Sequence, residues 1–345
     1  MTTFRKAALA AAISAAFAWP SASMAAGEGF VNLSGLPAPV VEAAAQDGDP
    51  ALARLLDRPS DLWERLRMGF AMPPLEQKRV AEFEGWYASR PELLRSILGR
   101  AKLYLHYVVE EVERRKMPAE LALLPVVESG FNPRALSSAQ AAGLWQFIPG
   151  TGARYKLAQT VHYDGRRDVV ASTGAALGYL QDLYEMHKDW QLALASYNWG
   201  EHAVARAVGL NRSRGGAGDF TSLTLPGETR DYVPRLMAIR NIIAEPAKYG
   251  LNLGDLPNEP YFASVPNDLD MDVRTAARFA EMPVEAFLAL NPAYNRPVIT
   301  GALRASLLVP VERAEFLRAN LERYREEQES ARLKVRNNRK AKLRS

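Results

Sequence analysis

Pro118-Ala-Glu-Leu-Ala-Leu-Leu-Pro-Val-Val-Glu128-Ser129-Gly130-Phe-Asn132-Pro133-Arg-Ala-Leu-Ser137 is the most informative stretch of the chain. Pro118 suits the first turn of a helix. Leu121, Leu124 and Val127 recur at helical spacing, and Gly130 and Pro133 are stop signals. Glu128 therefore falls near a helix C-terminus, behind Leu123, Leu124, Val126 and Val127. Apolar neighbours and the negative end of the helix dipole both disfavour its ionised form, so its pKa is expected to be raised. A carboxyl that stays protonated near neutral pH can act as a general acid, and once it has given up its proton it can act as a base. On residue types alone a solvated helix-end glutamate is the commoner case, so the surroundings must decide.

Leu94, Ile97, Leu98, Ala101, Leu105, Val108 and Val112 recur at steps of three and four, which predicts one amphipathic helix ending at Lys116-Met117-Pro118. Further helices are expected from about Val170 to His187, Trp190 to Val208 and Thr229 to Ala244. Asn211 to Gly218, with three glycines, reads as a surface loop. Strand signals are scarce before residue 260, so residues 90–250 read as one mainly helical domain. Residues 26–89 are assigned to an N-terminal extension, loose up to about residue 60, with no catalytic role expected. Beyond Pro257 and Pro260 the pattern changes to a short strand at Tyr261–Val265, helices at Val273–Phe279 and Val284–Leu290, and a returning strand at Leu307–Val309. This predicts a small separate unit over 258–312, followed by a polar helix and basic tail over 313–345. No internal repeat is visible.

The chain has 345 residues, about the length of two domains, with 48% hydrophobic and 24% charged residues. That mix can bury a sizeable core and excludes wholesale disorder. The net charge is +4. Arg332, Lys334, Arg336, Arg339, Lys340, Lys342 and Arg344 in the tail, with Arg5 and Lys6, outweigh that figure, so the body between them is acidic overall. It lacks the basic charge of a dedicated nucleic-acid binder. Arg5-Lys6, an apolar run from Ala7 to Trp19 and small residues up to Ala25 read as a secretory signal peptide over 1–25. The apolar run falls short of the roughly 20 residues that span a bilayer. Cysteine is absent, which excludes disulfides, thiolate chemistry and a lipid-carrying N-terminal Cys. The expected location is periplasmic. The four histidines His106, His162, His187 and His202 show no helical metal-site spacing, so neither metal nor cofactor is expected.

Three further segments follow Glu128-Ser129-x-Phe-Asn-Pro in order. They are Ala142-Gly143-Leu144-Trp145-Gln146-Phe147-Ile148-Pro149, Ala195-Ser-Tyr197-Asn198-Trp199-Gly200, and Glu228-Thr229-Arg230-Asp231-Tyr232-Val233. Together they resemble the four ordered motifs of the lysozyme-like lytic transglycosylases, glycoside hydrolase family 23. Tyr163-Asp164-Gly-Arg166-Arg167-Asp168 and Pro226–Pro234 look most like the membrane-bound lytic murein transglycosylase D branch of that family. The resemblance implies a mainly α, lysozyme-like helical domain. It also implies cleavage of the β-1,4 bond between N-acetylmuramic acid and N-acetylglucosamine in peptidoglycan, with 1,6-anhydromuramoyl ends. Glu128 would serve as acid and then base. Ser137, Gln146, Tyr197, Asn198, Glu228 and Tyr232 would bind substrate or hold the cleft wall.

Five of these have a plainer alternative: a loop hydroxyl for Ser137, helix ties for Gln146 and Asn198, a core ring for Tyr197, a structural carboxylate for Glu228. Trp145 and Trp199 read as core. Gln140 stands where the family commonly has glycine, and Trp145 and Ile148 where methionines are frequent. The unit around Ala276–Phe279 and Val284–Pro292 resembles a degenerate α+β LysM module without the usual Gly-Asp-Thr start, and binding glycan or serving as an appendage are both open to it. The expected partners are peptidoglycan glycan strands and no nucleic acid, with peripheral membrane or cell-wall contact through the basic tail left open. A hydrolytic muramidase on the same scaffold and a noncatalytic peptidoglycan-binding protein are the alternatives.

Overall fold

A computed structural model describes residues 59–342. The expected signal peptide and the loose lead-in lie outside the described residues. From Ser60 onward the chain is one compact unit.

Helix α1 (Leu62–Met68) begins at Asp61, whose side chain accepts the Glu64 amide at 3.0 Å, an ordinary N-cap. It buries Leu62, Trp63 and Leu66. Helices α2 (Lys78–Ala88), α3 (Pro91–Ala101) and α4 (Leu105–Arg114) follow. The single helix expected over α3 and α4 is broken at residues 102–104, where Leu103 and Tyr104 turn tightly onto the carbonyls three residues back. That turn sets the Tyr104 ring 6.3 Å from Phe262, a partner that local periodicity cannot show. A 3-10 turn at Ala119–Leu123 leads into α5 (Leu124–Ser129), and α6 (Pro149–Arg154) and α7 (Val169–His187) come next. The helix expected from Trp190 to Val208 is two, α8 (Trp190–Trp199) and α9 (Glu201–Ser213). They part at Gly200, which has φ +99. The loop expected from Asn211 is still helix to Ser213, and Asn211 then ties the following turn through the Gly218 amide and the Ser222 carbonyl.

Helix α10 (Gly227–Ala244) is the core of this bundle. Val233, Leu236, Met237, Ala238, Ile239, Ile242 and Ile243 are all buried, and the helix packs against α2, α5 and α8. Residues 61–88, read as an extension, supply Leu62, Trp63, Leu66, Val80 and Tyr87 to the same core. Arg65 is buried at 4% exposure. Its charge is compensated there by Glu113 at 2.6 and 3.0 Å, Glu110 at 2.7 Å and Asn258 at 2.9 Å, which join α1, α4 and the segment before Phe262.

The C-terminal unit has β1 (Phe262–Pro266) antiparallel to β4 (Ser306–Pro310), a small β2 (Met271–Asp272) and β3 (Val298–Ile299) pair, and helices α11 (Val273–Phe279) and α12 (Val284–Leu290). Asp272 caps α11 through the Thr275 amide. The polar helix α13 (Ala314–Lys342) follows. The unit is not separate, and the period-two alternation of the strands shows why. Val265, Leu307 and Val309 face the unit's own core, while Phe262 and Leu308 on the opposite face enter the helical core. Leu307, Leu308 and Val309 are consequently all buried.

Because Phe262 is shared by the sheet and by Tyr104 and Tyr107, residues 60–313 are expected to unfold in urea as one transition. Phe262→Ala should lower the unfolding free energy by about 3 kcal/mol. Two wild-type transitions, or a loss of less than about 1 kcal/mol for a core phenylalanine, would contradict the shared core.

Candidate active site

Helix α5 is short, and its end is firmly fixed. Gly130 caps it in the left-handed conformation, with its amide on the Val126 carbonyl and the Phe131 amide on that of Pro125. Arg100, from α3, donates its Nε to the Gly130 carbonyl at 2.8 Å. Ser129 Oγ donates to the Leu144 carbonyl at 2.8 Å. Glu128 is thereby held on the last turn, half-buried and facing the buried Tyr232 of α10.

The Tyr232 hydroxyl donates to Glu128 Oε1. Burial pushes the Glu128 carboxyl up to about 7, opposed by the Tyr232 hydrogen bond and aided by the negative charge of Glu228. Burial also raises the Tyr232 and Tyr197 hydroxyls well above their ordinary range, and the neighbouring Glu128 adds to both. Both tyrosines thus keep their protons near neutrality, and Glu128 exchanges its proton in that range. Tyr197, half-buried on α8, donates to the Trp145 carbonyl at 2.8 Å, and its ring lies 5.3 Å from Tyr179 and 6.4 Å from Phe147.

Beside this centre, Asn198 Oδ1 accepts from Thr229 Oγ1 at 2.7 Å, and Asn198 Nδ2 reaches Glu228 Oε1 at 3.4 Å. These contacts join the end of α8 to the start of α10. Gln146 and Ser137 belong to the loop between α5 and α6. Gln146 Nε2 donates to the Gly143 carbonyl at 2.8 Å, and Ser137 Oγ accepts the Ala141 amide at 3.0 Å. The geometry therefore brings Glu128, Tyr197 and Tyr232 together, sets Asn198 and Glu228 side by side, and keeps Gln146 and Ser137 on their own loop. Trp145 is core, with Nε1 on Thr173 Oγ1 at 2.9 Å. Trp199 is not core. It is 37% exposed at the end of α8, because the break at Gly200 ends the helix on the surface.

Several supports escaped the sequence reading. Arg79 of α2 grips Asp231 through Nε, at 2.7 Å, and Nη2, and so fixes the turn that carries Tyr232. Thr229 and Arg100 were also missed. Asp231 and Thr229 lie inside a quoted motif, whereas Arg79 and Arg100 lie in stretches with no local signal.

A family model described as the transglycosylase SLT domain matches residues 108–219. A second, the LysM-like domain of lytic transglycosylase MltD, matches 261–326. This chain carries a transglycosylase SLT domain. The SLT match takes in Glu128, Ser137, Gln146, Tyr197 and Asn198, and leaves Glu228 and Tyr232 beyond its end. The membrane-bound lytic murein transglycosylase D of Escherichia coli (strain K12) is 38% identical over 266 residues, which is 76% of this chain and 58% of that protein. Its counterpart in Escherichia coli O6:H1 matches with the same identity and coverage. The chain thus spans less than two thirds of the length of these relatives. Among the described residues, no helix is long and apolar enough to cross a membrane.

The raised carboxyl of the SLT domain has a consequence for stability. Between the ordinary value of 4.5 and about 7 the folded chain holds a proton that the unfolded chain has lost, so this group's effect on stability worsens as pH rises through that window and then levels off. Glu128→Gln should therefore gain stability over the wild type from pH 4 to pH 8 in urea titrations. A difference that does not change with pH would show that the carboxyl ionises normally.

Proposed function

We propose that the chain is a peptidoglycan lytic transglycosylase, cleaving between N-acetylmuramic acid and N-acetylglucosamine and leaving 1,6-anhydromuramoyl ends. The observation that supports this most directly is a single carboxyl raised to about 7 and contacted by a tyrosine hydroxyl, within a core shared with the SLT domain. Glu128 enters the reaction protonated and gives its proton to the glycosidic oxygen as the bond to the muramoyl C1 breaks. The acetamido oxygen of the same sugar relieves the positive charge at C1. Glu128, now a carboxylate, takes the proton of the C6 hydroxyl as that oxygen bonds to C1. The enzyme ends as it began, and no water is consumed. Tyr232 donates to the transient carboxylate, lowering the cost of the charge between the two steps. Tyr197, Asn198 and Gln146 offer the donors and acceptors that sugar amides and hydroxyls need, and Ser137 and Glu228 shape the loop and the wall. The exported, periplasmic setting belongs to the same proposal.

A hydrolytic muramidase is a second reading, favoured by one observation. Glu228, a second carboxylate, is near enough to act on Glu128 electrostatically, and two-carboxylate glycosidases need such a partner. Its engagement with Asn198 supports a wall role instead.

Purified sacculi are expected to release anhydromuropeptides with the wild type and essentially none with Glu128→Gln. Products heavier by one water would mean hydrolysis, and bound sacculi with no release would mean a glycan-binding protein. Since the proton donor must be protonated at the outset, kcat/KM should fall as pH rises through about 7. Tyr232→Phe removes a hydrogen bond that lowers the Glu128 pKa, so this limb should move to higher pH. A shift to lower pH would overturn the assigned pairing.

A further inference from the structure

The Tyr163-Asp164-Gly-Arg166-Arg167-Asp168 motif takes no part in the chemistry above, yet two of its charges are buried. Arg166 is 7% exposed and Asp164 8%. Arg166 Nε and Nη2 donate to the two Asp164 oxygens at 2.9 and 2.7 Å. The remaining donor, Nη1, reaches across to the loop of Ser137 and Gln146, where it meets the Gln140 carbonyl at 2.7 Å and the Phe147 carbonyl at 3.2 Å.

That loop needs external support. Gln140 and Gln146 have φ of +61 and +48, in the left-handed region that costs residues with a Cβ about 1–2 kcal/mol each. Its own bonds are short-range: the Ser137, Gln140 and Gln146 amides close onto the Ala141, Ser137 and Gly143 carbonyls, Ala142 and Phe147 exchange a pair, Gly143 meets the Ala135 carbonyl, and the Ser137 and Gln146 side chains bond within the same turns. From outside, Ser129 and Tyr197 hold only the Leu144 and Trp145 carbonyls, so the turns at Gln140 and Phe147 are left to Arg166. The loop also lies directly on the Arg166 backbone. A Cβ at Gly143, where φ is +85, would fall 1.8 Å from the Arg166 carbonyl oxygen. Glycine is therefore required there by contact as well as by φ.

The anchor of Arg166 leans in turn on the C-terminal unit. The Asp164 amide donates to the Ala293 carbonyl at 2.8 Å, the Asn295 amide to the His162 carbonyl at 2.9 Å, and the Tyr163 and Tyr294 rings meet edge on at 5.4 Å.

We propose that Arg166 is a positioning residue for glycan binding, which holds the Ser137–Phe147 loop in its strained form, and that residues 293–295 of the LysM-like unit hold its anchor Asp164. The proposal rests on the glycan-cleaving reading. In it the LysM-like unit serves the cleft as a wall for the loop. Lysine cannot replace the guanidinium, because a single ammonium cannot span two Asp164 oxygens and two loop carbonyls.

The test uses the full chain. Arg166→Lys should raise KM for soluble glycan strands about tenfold, the worth of a charged hydrogen-bond set, while kcat and the position of the pH limb stay within twofold. A fall in folded fraction alone would lower kcat and leave KM unchanged. Adding Gln140→Gly, which frees the left-handed residue, should recover about fivefold of the lost KM. Asp164→Asn carries the same prediction should Arg166→Lys fail to fold. Tyr294→Leu, which keeps apolar volume, should raise KM about threefold and combine with Arg166→Lys less than additively, as changes in one chain of contacts do. An unchanged KM in folded Arg166→Lys, or no recovery with Gln140→Gly, overturns the role of Arg166. An unchanged KM in folded Tyr294→Leu overturns that of the C-terminal unit. The dissociation constant of a glycan tetramer, measured by calorimetry with these changes in the Glu128→Gln background, should move by the same factors. Binding that moves while the wild type releases no product would sink the glycan-cleaving reading and leave the positioning role standing.

Discussion

The contact between Tyr232 and Glu128 is the constraint to which the other features of the site answer. A carboxyl raised to about 7 must be kept from water on most sides, and the hydroxyl that meets it must be available when it becomes charged. The two residues are 104 positions apart, on helices α5 and α10. Neither helix alone fixes the distance between them. It is fixed by the packing of α10, whose buried face runs from Tyr232 to Ile243, and by the left-handed cap at Gly130 that ends α5 two residues after Glu128. A rotation of α10 about its axis would remove the tyrosine and bury a polar group elsewhere, so the apolar face of that helix is also a device for aiming one side chain.

The polar latches around the site are placed where rotation would begin. Arg79 holds Asp231, one residue before Tyr232, and Arg100 holds the Gly130 carbonyl, two residues after Glu128. Both use arginine, whose planar fork fixes direction as well as distance. Arg79 meets Asp231 in the two-point manner that resists twisting. The latches come from α2 and α3, which precede the SLT match, so the geometry of the matched domain is set partly by residues outside it.

Much of this was legible from sequence, and what was not has a common cause. The helices Val273–Phe279 and Val284–Leu290 lie where the sequence places them, because Asp272 and Pro283 mark their starts and the apolar spacing is local. Glu128 was read as a raised carboxyl from its neighbours in the chain; burial raises it in the structure, and Glu228, far along the sequence, adds to that. The failures concern contacts between distant segments. The break near Tyr104 answers to Phe262, and the C-terminal unit looked separate because Leu307-Leu308-Val309 reads the same whether one face or both are covered. The pairing of Arg79 with Asp231 spans 152 positions, a distance over which a single sequence gives no pairing information.

The matched domain and the folded unit are therefore different things. Residues 108–219 contain the acid, but Tyr232 and the helix that fills the centre of the core lie after them, and Arg65, Arg79 and Arg100 lie before. Cut at the limits of the match, the chain would lose the donor to Glu128 and expose the surfaces that Val233, Leu236 and Ile239 cover, at a cost of roughly 1.5–3 kcal/mol for each uncovered side chain. The LysM-like unit extends the same logic. A module joined by a flexible linker presents its ligand in any orientation, whereas β4, buried on both faces, allows only one. Shared burial of Leu308 and Phe262 makes the orientation of that unit part of the core itself, so the position of Ala293 against Asp164 is as determinate as a contact within the helical bundle.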